Sequence, residues 1–238
     1  YLVYNNPRQT TLYPIQWRIT GTTMTSVRIG VSTTGTYNTI LITSTSGTGL
    51  YTYNWPVSDT VTTSGLIKIW DNNYPGDTPE PVNDVSNATF NIKSKLELTA
   101  PITTTVWEVG QAGQFNWESA GSIGDVVLEY KKADGNWESI VTTTSNAPGS
   151  YSYTWPSVAN VITTTAKVRI RPVNTVYADI QESPAFSIKT RLVVDKPVLN
   201  DDYIVYNPPY QGSTYPISWT YSGTVSQVKL QYKSGAGA

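Results

Sequence analysis

The chain has 238 residues, a formal net charge of −1 and 14% charged residues, with 39% hydrophobic and 12% aromatic content. That supply of apolar side chains fills cores and excludes a disordered chain, while the charge balance offers no basic surface for nucleic acid or an anionic membrane. Cys and His are both absent, which removes disulfides, thiolate metal sites, the cysteine nucleophile, the commonest general base and the commonest transition-metal ligand.

Tyr1 to Trp17 reads YLVYNNPRQTTLYPIQW and returns without a gap as YIVYNPPYQGSTYPISW from Tyr203 to Trp219. A chain that repeats its own opening is a window on a tandem array. No apolar run approaches membrane-span length. Tyr1 is not followed by a basic n-region and a long apolar h-region, so it reads as a mature end or a fragment boundary.

In the unit seen whole, strands are predicted over 95–98, 105–110, 114–117, 125–130, 137–142, 150–155, 166–171 and 185–189. They are separated by Gly, Pro, Asn, Asp and Ser clusters of the kind that mark turns. No segment keeps a 3.6-residue apolar period, so no helix is expected. Period-two alternation places Val27/Ile29/Val31, Val126/Leu128/Tyr130 and Val228/Leu230/Tyr232 on dry faces. It leaves Arg28, Glu129 and Lys229 on wet ones. Alternation of this kind belongs to antiparallel sheets packed as a sandwich.

Four anchors align the copies. Trp17, Trp117 and Trp219 each end a Φ-x-Trp strand, and Tyr51-Thr-Tyr53-Asn-Trp55-Pro56 matches Tyr151-Ser-Tyr153-Thr-Trp155-Pro156. Ile67 and Ile69 match Val168 and Ile170, and Phe90-Asn-Ile92-Lys93 matches Phe186-Ser-Ile188-Lys189. The reading is all-β, with tandem immunoglobulin-like sandwiches. Residues 1–94 form one without its first strand, 95–190 a complete one, and 191–238 the first part of a third. Missing strands would come from more of the same chain or from neighbouring subunits by β-strand addition.

Candidate sites are few. Tyr51, Tyr53, Tyr151 and Tyr153 share strand faces with Trp55 and Trp155; they are either core framework or a platform for stacking on sugar rings. Asp71, Asn73, Asp77 and Asp84 give an oxygen-rich stretch that is either a calcium site without EF-hand spacing or a polar turn. Asn87-Ala88-Thr89 is an N-glycosylation sequon, and the Thr runs at 103–105, 142–144 and 163–165 are candidates for O-linked sugar or plain β-formers. Glu108, Glu118, Glu129 and Glu138 read as single exposed carboxylates, whereas a glycosidase needs two across a cleft. No catalytic residue and no obligate cofactor is expected.

These framework positions together resemble the immunoglobulin-like module of the Ser/Thr-rich, GPI-anchored yeast cell-wall family, named for fungal cell-wall β-glucan synthesis, with relatives in long bacterial and archaeal surface proteins. The matching residues are Pro101, Trp107-Glu-Val-Gly110, Phe115-Asn-Trp117, Val126-Val-Leu128, Tyr153-Thr-Trp155-Pro156, Val168-Arg-Ile170 and Ser183-Pro-Ala-Phe186-Ser-Ile188. In the first copy Thr11-Leu-Tyr-Pro14 stands where the Trp-x-x-Gly element would be. The resemblance implies an extracellular β-sandwich of cell walls or surfaces and carries over no catalytic residue. The expected function is therefore a non-catalytic structural repeat of a filament, sheath, S-layer or giant adhesin that associates with its own kind. The alternative is a carbohydrate-binding array on cell-wall polysaccharide.

Overall fold

A computed structural model describes residues 2–3, 12–21, 24–73, 82–145, 148–198 and 216–233. All regular structure there is β. The first sandwich holds β1 (Leu2–Val3), β2 (Tyr13–Ile19), β3 (Ser26–Ser32), β4 (Tyr37–Ser44), β5 (Gly49–Trp55), β6 (Thr62–Asp71), β7 (Asn83–Val85) and β8 (Phe90–Lys93). The second holds β9 (Lys95–Ala100), β10 (Val106–Glu108), β11 (Gly113–Ala120), β12 (Asp125–Lys131), β13 (Trp137–Thr144), β14 (Gly149–Trp155), β15 (Thr163–Ala166), β16 (Val168–Pro172), β17 (Gln181–Glu182) and β18 (Phe186–Lys189). Then come β19 (Arg191–Lys196) and β20 (Ser218–Ser222).

In the second sandwich β9, β11 and β14 form one layer, and β13-β12-β16-β17 with β10-β18-β15 form the other. The second layer is split because the penultimate and last strands each break, at Lys167 and at 183–185, and change partner. β10 pairs parallel with β18, so the unit's early and final strands lie side by side. The first sandwich repeats the plan: β2 faces with β5, and β1-β8-β6-β3-β4 lies opposite with β7 on β6. Two antiparallel-dominated layers with crossing connections make an immunoglobulin-like sandwich.

The alternation predicted from sequence fills the cores. Val27 and Ile29 are fully buried in one, and Val126, Leu128, Val168 and Ile170 in the other. Aromatic residues fasten the second core: the Trp107 ring meets Phe115, Trp155 and Phe186 at 5.5, 6.1 and 4.7 Å between centroids. In the first, Gly65 lies against the Phe90 ring, which is 2.7 Å from where a Cβ would stand. Alanine at the matching site, Ala166, pairs with Phe186.

Four expectations are corrected. The Φ-x-Trp tryptophans do not end their strands: β2 runs on to Ile19 and β20 to Ser222 because further residues pair with β5 and β19, and β11 runs on to Ala120 because Glu118 and Ser119 pair with β14 and Ala120 with Lys95 of β9. The counterpart of Trp107 in the first copy is not the 11–14 stretch but Leu2, since Leu2 pairs with Ile92 as Trp107 pairs with Ile188. Residues 226–233 form no strand despite their alternation, and Tyr232 is 92% exposed. Their counterpart β12 is held between β13 and β16, and no strand follows β20 among the described residues to play either part. Glu129, expected on a wet face, is buried, as described below.

The joints between units are short and alike. Only Ser94 separates β8 from β9, and only Thr190 separates β18 from β19. At the first joint the Ser122 N–H donates to both Asp59 carboxylate oxygens at 2.9 and 3.0 Å, and its hydroxyl donates to Oδ2 at 2.8 Å. The Ser94 N–H donates to the Tyr177 carbonyl at 2.8 Å, and Lys93 Nζ lies 2.7 Å from Asp179. At the second joint Asn160 occupies the place of Asp59: its Nδ2 donates to Thr224 Oγ1 at 2.8 Å, and its Oδ1 accepts the Thr224 N–H at 3.3 Å.

A glycine in left-handed backbone precedes each contact, Gly121 at φ 91° and Gly223 at φ 87°. At Gly121 a Cβ would come within 2.5 Å of Ser94 Oγ, so glycine alone lets the units close. Replacing Asp59 with Ala removes three hydrogen bonds from outside either core. Each unfolding transition should then move by less than about 0.5 kcal/mol, while small-angle scattering shows a broader spread of inter-unit angles. Unchanged scattering would assign the angle to the Ser94 and Lys93 contacts alone.

Candidate binding surfaces

The four tyrosines singled out for sugar stacking face inward. Along β5 and β14, Tyr51, Tyr53, Tyr151 and Tyr153 are half-buried, and the residues alternating with them are exposed. Tyr151 stacks on Trp117 at 5.7 Å and 10°, and Tyr51 on Trp17 at 5.6 Å and 14°. The Tyr51 hydroxyl accepts the Ser46 N–H and donates to the Gly47 carbonyl, both at 3.0 Å, which ties the preceding turn to the strand.

The acidic stretch is dispersed. Asp71 ends β6, buried, with Oδ1 accepting the Asn73 N–H at 2.9 Å in an Asx-turn. Asp84 is not in the loop but in β7, opposite Ile69, exposed, with Oδ1 accepting the Val85 N–H at 3.0 Å. Asp77 lies outside the described residues. Among those described, no three Asp or Glu side chains come together as metal ligands. Asn87 sits exposed in the bend between β7 and β8.

The carboxylates are paired more closely than sequence showed. Glu129 is 5% exposed, and its Oε2 accepts from Arg169 Nε and from Arg171 Nε, the latter at 3.2 Å. The Arg169 guanidinium lies 4.4 Å from the Trp137 ring centroid. A buried carboxylate between two guanidiniums is a fixed structural charge cluster. In the first sandwich the same four register positions hold Gly30, Lys68, Trp70 and Tyr37. There the Trp70 ring lies over Gly30, where a Cβ would come within 2.8 Å, and Lys68 Nζ sits 5.4 Å from that ring and 5.8 Å from Tyr37. One copy fills the outer face of its sheet with ions, the other with an aromatic and cation packing.

Glu108 lies 3.4 Å from Lys189 Nζ and 3.8 Å from Arg191 Nε, across the second joint. Glu138 lies 3.5 Å from Lys132. In the hairpin turn beside it the Asn136 N–H, with its side chain and Lys132, holds the Asp134 carboxyl below its usual range. Asp134 and then Glu138 raise Lys132, while burial and then Glu138 raise the Tyr130 phenol.

No protein-family profile and no curated protein sequence matches the chain. Solved structures with similar coordinates include the fibronectin(III)-like modules of Clostridium thermocellum CbhA, at 12% identity, covering 79% of this chain and 89% of that one with a TM-score of 0.29. Another is a chimeric titin Z1Z2-Z1Z2 tandem functionalized with a GRGDS exogenous peptide from fibronectin, at 10% identity, 75% and 92% coverage and a TM-score of 0.28. The sandwich assignment rests on the strand order and cores described above.

Proposed function

We propose that the chain is a non-catalytic structural segment of a long extracellular surface protein, of the filament, sheath, S-layer or giant-adhesin kind. The observation that carries this is the pair of joints. Single-residue connections, each closed by an acceptor side chain, a hydroxyl residue and a glycine in matching places, propagate a fixed relation from unit to unit. Such joints limit the freedom that a flexible linker would leave. In this reading the tyrosines and tryptophans are framework, and the exposed Thr-rich faces meet solvent or wall polymer.

Electron microscopy of the native particle tests it. Regular fibres or a lattice with a repeat matching stacked sandwiches is the expected result, and dispersed monomers would refute it. The module resemblance to the yeast cell-wall family supports the extracellular placement, which immunogold labelling of intact cells would check.

A further inference from the structure

The two sandwiches differ at the bend before their last strands. In each, the residue after the short edge strand is a serine locked to its neighbour. The Ser86 N–H donates to the Ile67 carbonyl at 2.8 Å, and Ser86 Oγ accepts the Ile67 N–H at 3.2 Å. Ser183 makes the same pair of bonds to Val168, at 2.9 and 3.1 Å. From that shared point the second sandwich reaches β18 through Pro184 and Ala185, whereas the first reaches β8 through Asn87, Ala88 and Thr89. A proline bend in one copy is thus a longer Asn-x-Thr bend in the other. Of the chain's asparagines, Asn87 alone has a Ser or Thr two places on.

The tripeptide falls in a gap between two ladders. β7 pairs with β6 as far as Val85 opposite Lys68, and β8 takes up the pairing with Phe90 opposite Gly65. Asn87, Ala88 and Thr89 are all exposed. Ser86 Oγ donates to the Ala88 carbonyl at 3.3 Å and so closes the bend from its base. An enzyme can therefore take up the Asn87 amide and the Thr89 hydroxyl together without breaking a strand pair. A bulky, hydrated group on Asn87 would displace nothing from the core.

We propose that Asn87 carries an N-linked oligosaccharide, which places sugar on the first sandwich and leaves the matching bend of the second bare. The donor is a polyprenyl-diphosphate-linked oligosaccharide, and a transferase reads the Thr89 hydroxyl beside the amide. Asn87 Nδ2 forms a bond to the anomeric carbon as the bond from that carbon to the diphosphate oxygen breaks. The amide gives up one proton to a base of the transferase, and the lipid diphosphate leaves. No electrons are gained or lost. Such transfer takes place on the non-cytoplasmic side of a membrane, so the site rests on the extracellular reading above and adds a modification to it.

Mass spectrometry of the native protein tests this. Trypsin, cutting after Lys68 and Lys93, releases residues 69–93 with the sequon as one peptide. That peptide should be heavier than its sequence by a whole number of sugar residues, and fragmentation should place the added mass on Asn87. Made in the source cells, Asn87→Gln and Thr89→Ala should each lose the added mass completely, while Thr89→Ser keeps it. All three sites of change are exposed, so the thermal transitions should stay in place. Sugar that survives Thr89→Ala would overturn a sequon-directed transfer. An unmodified peptide from protein that immunogold labelling places outside the cell would overturn the glycan alone and leave the extracellular reading standing. An unmodified peptide from protein labelled in the cytoplasm would overturn both.

Discussion

Replacing Trp107 with Ala should cost the second sandwich about 3–5 kcal/mol, the range for truncating a buried large aromatic. The indole touches Phe115, Trp155 and Phe186 at once, and all four belong to one core, so no neighbour can swing in without losing its own contacts. Trp107 also lies in the short β10, held to β18 by a three-residue parallel register. The variant should therefore lose β10 as well as its core. Denaturant titration read by tryptophan fluorescence should resolve an early transition for residues 95–190. The transition of the first sandwich, which has its own core around Ile29, Trp55 and Ile92, should stay near its original midpoint. Loss of both transitions together would mean that the joint couples the units into one cooperative block.

Glu129→Ala should destabilise the same sandwich by about 3 kcal/mol, because removing one partner of a buried ionic cluster strands the others. Arg169 and Arg171 keep side-chain exposures of 20% and 29%, so partial rehydration limits the damage. A double-mutant cycle with Arg169→Met separates the pair's own coupling from the cost of the orphaned guanidinium. A measured loss below about 0.5 kcal/mol would place the carboxylate among ordinary surface ion pairs.

What the sequence revealed and what it hid divide along a physical line. Alternation is a property of one strand, and Val27/Ile29/Val31 and Val126/Leu128/Tyr130 declare their buried face without any partner. The Tyr-x-Tyr-x-Trp-Pro element did the same for β5 and β14, and the Phe-x-Ile-Lys element for β8 and β18. Features made by pairing were invisible. Glu129 meets Arg169 forty positions later through cross-strand register, and Asp59 meets Ser122 across sixty-three. Residues 226–233 show the converse: their alternation is as clean as that of β12, yet among the described residues no strand lies to either side and they form none. Pattern states what a segment can do; neighbours determine whether it does so.

The parallel contact between β10 and β18 has a mechanical consequence. Tension along an array enters each unit near its first strands and leaves through its last, so it pulls these two neighbours past one another in opposite directions. The hydrogen bonds between them are then strained side by side and must fail together, where a hairpin pulled from its open end would lose them singly. A string of such units would resist stretching up to a threshold and then yield one module at a time.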